Sequence, residues 1–115
     1  MNPDGSFPKG MNFDEYMSLC RSLHLEPLVV VNALSYKYEQ GPTLEQLAAS
    51  AKAWVSYARS KNYKVAYWQI GNEVDHHGAL ITKREYVDAY NQIARAMKDA
   101  DPTIRVGPGI LGKTR

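Results

Sequence analysis

Apolar positions along this chain switch between two spacings, and the switching predicts helix, strand, helix, strand, helix, strand. From Phe13 to Leu23 the residues Tyr16, Met17, Cys20 and Leu23 recur three and four apart, as one face of a helix requires. Asn12 is placed to cap that helix, with Glu15 as the returning partner and Met11 and Tyr16 as a staple. A second helix is predicted over Leu44 to Ser60, capped by Thr43 with Gln46, with Leu47, Ala51, Trp54, Val55 and Ala58 inward. A third follows the cap Thr82 with Glu85, stapled by Ile81 and Tyr86. Its stripe is Tyr86, Val87, Tyr90, Ile93, Ala94 and Met97, and Asp101-Pro102 stops it. Between the helices lie Pro27 to Asn32, Lys64 to Ile70, and Thr103 to Val106, the last closed by Gly107-Pro108-Gly109. The unbroken run Leu28-Val29-Val30-Val31 predicts a strand covered on both faces. Strands alternating with helices predict an α/β fold with parallel pairing and right-handed crossovers, in one domain over residues 1–115.

Bulk composition narrows the function classes. Fourteen Lys and Arg against twelve Asp and Glu give a formal charge of +2, spread along the chain, and so make no case for nucleic acid or an anionic membrane. No apolar run approaches the roughly 20 residues of a membrane span. Met1-Asn2-Pro3-Asp4-Gly5 has no signal-peptide pattern, and the compartment stays open. The single cysteine, Cys20, forms no internal disulfide and reads as a small packed hydrophobe. There is no Gly-rich phosphate loop and no cysteine pair, so neither a nucleotide nor a redox cofactor is expected.

The strand ends carry the chemistry. Lys64 to Ile70 ends in Gly71-Asn72-Glu73, polar residues that a buried strand does not need for packing. The carboxyl ends of parallel strands are where ligands bind. Gly71 lets the chain turn or be approached closely, Asn72 donates and accepts, and Glu73 can exchange a proton; the alternative for Glu73 is a solvated carboxylate in a strand-to-helix loop. Asn32 ends the first strand and either faces a ligand or bonds its own loop. Tyr36 and Tyr38 follow it, to stack on a ligand ring or to pack the loop. Asp75-His76-His77 has ligand types for zinc, but adjacent histidines rarely bind one ion and no further ligands recur at a known spacing. No metal is expected, and His76 reads as a cleft residue. His24 reads as a cation at a helix end.

Tyr67-Trp68-Gln69-Ile70-Gly71-Asn72-Glu73 resembles the Gly-Asn-Glu strand of clan A retaining glycoside hydrolases, above all the α-L-arabinofuranosidase-like members. Asn2 to Pro8, Phe13 to Met17 and Glu26 to Asn32 resemble the same family, in the same order. The resemblance implies a piece of a (β/α)8 TIM barrel, about its second helix through its fifth strand, since a whole barrel needs roughly 250 residues. It implies that Glu73 is the catalytic acid/base and that Asn72 binds the sugar hydroxyl beside the reacting carbon. Asn32, His76 and Trp68 complete the substrate-binding set, and the substrate is a carbohydrate, an arabinofuranoside or related polysaccharide.

The family's nucleophilic glutamate sits on the seventh barrel strand, whereas this sequence reaches what resembles the fifth. Neither Asp75 nor Glu39 matches that role, so the 115 residues alone are expected to be inactive or nearly so. Open sheet edges predict self-association. The rival reading is a small non-catalytic α/β module that binds a ligand or partner.

Overall fold

The computed structural model describes residues 12–72 and 81–109. The elements are α1 (Phe13–Ser22), β1 (Leu28–Val31), a 3-10 turn (Ser35–Lys37), α2 (Leu44–Ser60), β2 (Tyr67–Ile70), α3 (Lys83–Ala100) and β3 (Arg105–Pro108). The helix starts are set locally. Asn12 Oδ1 accepts from Glu15 N–H at 2.8 Å, and Thr43/Gln46 and Thr82/Glu85 close both arms of a capping box. Each such cap contributes about 1 kcal/mol. The ends of α1 and α2 reverse through left-handed His24 and Asn62, with φ of 56° and 58°. Leu25 N–H then bonds Cys20 O at 2.8 Å and Tyr63 N–H bonds Ala58 O at 2.9 Å, satisfying carbonyls the helices leave free.

The three strands form one parallel sheet in the order β1-β2-β3. A sequential order with no reversal keeps right-handed crossovers on one face of the sheet. The packing agrees: Val31, Trp68 and Ile70 share one core with Val55 and Ala58 of α2 and with Ile93 and Met97 of α3. Burying an apolar side chain of this size contributes about 1.5–3 kcal/mol. The aromatic ring of Phe13 joins α1 to this layer, 5.1 Å from Trp54 and 5.7 Å from Tyr63 between centroids.

The sheet's other face is open, contrary to the two-sided burial expected of β1. Leu28 is 51% exposed, Val30 44% and Tyr67 44%. The register explains which residues share that face. Leu28 pairs with Tyr67 and Val30 with Gln69, whereas Val29 and Val31 pair with Trp68 and Ile70 on the helix side.

Three further expectations are corrected. On α3, Val87 is 53% exposed and Ala89 takes its place in the core; on α1, Leu23 is the exposed C-cap rather than part of the stripe. The last strand begins two residues later than Thr103. Asp101 Oδ1 accepts from Thr103 N–H at 3.0 Å and from its hydroxyl at 2.7 Å, which holds Asp101 to Thr103 as a turn. Pro108 fits the strand because Arg105 N–H donates to Ala66 O, just before β2, and Gly109 N–H to Ile70 O at its end. The alternation therefore turns the nitrogen of Pro108 away from β2, to an edge where no described strand requires a donor.

Candidate active site

Parallel pairing brings the ends of all three strands to one rim, with Asn32 after β1, Gly71 and Asn72 after β2, and Gly109 after β3. The ladder continues past the strands, since Gly71 N–H donates to Val31 O at 2.8 Å and Gly109 N–H to Ile70 O at 3.1 Å. Gly71 has φ of 77°, a left-handed turn that suits glycine. A cleft of about 720 Å³ opens beside this rim and is lined by Val30, Asn32, Ser35, Tyr38, Gly71 and Asn72 among others.

The two asparagines are both exposed on this cleft but differ in what they bond. Asn32 Oδ1 accepts from the N–H groups of Leu34 and Ser35, each at 3.0 Å. Its oxygen thus serves its own loop, and among the described residues nothing accepts from its side-chain N–H groups. Asn72 Oδ1 accepts from Gln69 Nε2 at 3.3 Å, and the same nitrogen donates to Gly71 O at 2.8 Å. Gln69 therefore braces the turn that carries Asn72. Sequence reading missed it, although a lone amide in an otherwise apolar strand, two residues before Gly71, is a signal.

Trp68 is placed elsewhere. It is 2% exposed in the helix-side core, and its indole N–H donates to Val65 O at 3.2 Å. The side chain has no surface to offer a sugar, because the alternation that turns Gln69 to the open face turns Trp68 under the helices. Of the loop tyrosines, Tyr36 packs against the core, where burial raises its phenol above the usual value, and Tyr38 is exposed and lines the cleft. Glu73 and His76, with Asp75 and His77, lie outside the described residues. Among the described residues no group of three His, Cys, Asp or Glu could hold a metal ion, and no helix is long and apolar enough to cross a membrane.

Charge at the rim is paired between a loop and a helix. Lys37, in the turn after β1, forms an ion pair with Glu85 in the first turn of α3. The ammonium and the Thr82 N–H hold the Glu85 carboxyl down to about 2, and the carboxylate in turn raises the Lys37 ammonium.

Proteins named alpha-L-arabinofuranosidase C are similar to this chain. One from Aspergillus clavatus, named "Probable alpha-L-arabinofuranosidase C", is 34% identical over 111 residues, covering 81% of this chain and 20% of that protein. A protein of the same name from Aspergillus fumigatus is 33% identical over the same shares. The alpha-L-arabinofuranosidase C of Emericella nidulans is 32% identical, again over 81% of this chain and 20% of the relative. The chain thus spans about a fifth of the length of the curated relatives it matches. No protein-family model matches it, and no solved structure does. The similarities support a relationship to glycoside hydrolases.

Proposed function

We propose that these residues are part of the catalytic domain of a retaining glycosidase acting on an arabinofuranoside or a related polysaccharide. The observation that carries the reading is the position of Asn72. It sits at the carboxyl end of the middle parallel strand, exposed on the cleft that Asn32 also lines, with Glu73 next in sequence. The sequential strand order, with helices on one face and an apolar face opposite, fits a sheet that continues into a closed (β/α)8 barrel.

In this reading Glu73 protonates the departing glycosidic oxygen and then takes a proton from water. A second carboxylate, about 5–5.5 Å away in retaining enzymes, attacks the anomeric carbon. Asn72 binds the hydroxyl beside that carbon, Asn32 donates to the sugar through its side-chain N–H groups, and His76 belongs to the same substrate-binding set. None of the carboxylates within the 115 residues is assigned the nucleophile's part. A polypeptide of these residues alone is therefore expected to be inactive, since loss of a catalytic carboxylate typically costs orders of magnitude in rate.

The test is hydrolysis of aryl α-L-arabinofuranosides by the intact protein, beside Glu73→Gln and Asn72→Ala. The expected result is a loss of at least about 10³-fold in Glu73→Gln for substrates with poor leaving groups. Sugar binding without turnover, unchanged in Glu73→Gln, would establish the non-catalytic module instead.

A further inference from the structure

Tyr86 lies on α3, one turn before Tyr90, and both phenols reach down to strand carbonyls. Tyr90 donates to Val106 O at 3.0 Å, inside β3. Tyr86 reaches the rim itself. Its hydroxyl donates to Ile70 O at 2.7 Å and accepts from Gly109 N–H at 3.0 Å. Ile70 O also accepts from Gly109 N–H at 3.1 Å, so the three groups form a closed triangle where β2 ends and the Gly71-Asn72 turn begins. The ring is 9% exposed, and burial raises the phenol above its usual value.

The backbone at this point has little room. A Cβ on Gly109 would lie 1.8 Å from Gly71 O and 2.9 Å from Asn72 N. The β3 end therefore presses directly on the turn, and the Tyr86 hydroxyl fixes both chains against each other. Gln69 braces the turn from the opposite face of the sheet.

We propose that Tyr86 is a positioning residue, clamping the ends of β2 and β3 through Ile70 O and Gly109 N so that Asn72 is held in register on the cleft. This rests on the reading of Asn72 as a sugar-binding residue. A polar clamp inside a packed layer suits this purpose, because hydrogen bonds fix direction where apolar contact alone permits sliding.

Tyr86→Phe keeps the ring and removes the clamp, and Tyr90→Phe removes a similar bond away from the rim. Tyr86→Phe in the intact protein is expected to lower kcat for an aryl α-L-arabinofuranoside by about tenfold, with KM little changed. Tyr90→Phe is expected to lose stability to a similar degree without that loss in kcat. The losses from Tyr86→Phe and Asn72→Ala should not add in the double variant, as for groups acting through one another. Additive losses, or equal kcat in Tyr86→Phe and wild type, would overturn the proposal. An intact protein with no glycosidase activity would instead overturn the reading beneath it. Amide NMR then decides the clamp alone: shifts at Gly71, Asn72 and Gly109 in Tyr86→Phe but not in Tyr90→Phe support it, and an unmoved turn refutes it.

Discussion

Lys37 and Glu85 are 48 residues apart in sequence and joined in space, tying the turn after β1 to the first turn of α3 across the cleft rim. The Glu85 carboxyl is held at about 2, below its ordinary 4.5. A depressed carboxyl contributes stability above its unfolded value and loses it as pH falls through the folded one. The thermal midpoint should therefore fall between about pH 5 and pH 2 more steeply in the wild type than in Glu85→Gln, whose amide still caps Thr82. Parallel pH profiles would refute a part for this pair. Both side chains are partly exposed, so added salt should shrink the difference.

The opposite pH dependence is expected at Tyr63. The Asp14 carboxylate accepts from the hydroxyls of Tyr57 and Tyr63, anchoring α1 to the end of α2. Hydrogen bonding to Asp14 raises the Tyr63 phenol to about 12, and the same bonds lower the carboxyl. The stability from Tyr63 is then fully present below about pH 10 and lost as pH rises through about 12. In Asp14→Asn, NMR of labelled tyrosine should show Tyr63 titrating closer to its usual value; an unchanged titration would exclude Asp14 as the cause.

Two glycines in and after β3 should respond differently to alanine. A Cβ at Gly109 meets Gly71 O at 1.8 Å, and one at Gly107 meets nothing within 4 Å. Gly109→Ala is expected to cost about 1–3 kcal/mol as the backbones are forced apart. Gly107→Ala should stay within about 0.5 kcal/mol of wild type. Urea unfolding midpoints separate the two, and equal costs would contradict the close approach.

The open sheet face bears on assembly. We propose that copies of the 115-residue chain self-associate through the exposed Leu28, Val30 and Tyr67 and the adjoining strand edges. Light scattering should show mass rising with concentration, and Val30→Lys should suppress the rise. A wild-type chain that stays monomeric at high concentration would refute the proposal.

The helix starts were legible in the sequence because capping is local. Asn12, Thr43 and Thr82 each bond a residue three positions on, and α2 runs over the span its pattern predicts. The strand faces were less legible. A run such as Leu28 to Val31 is apolar at every position, so nothing in it says which alternate set turns to the helices. The side of Trp68 was illegible for the same reason: its neighbours mark a strand end, and only the packing of the helices on the sheet turns it into the core. Gln69, Tyr86 and the Lys37–Glu85 pair were hidden because their partners belong to other elements.

By itself the sequence determined the order of elements, their caps, the parallel α/β class and the polar residues that end the strands, since each depends on contacts a few residues apart. The tertiary structure decided which sheet face is covered, which side chains reach the rim and what holds Asn72 there. Those follow from register and crossover packing, where a shift of one residue exchanges inside for outside, and no local pattern fixes that choice.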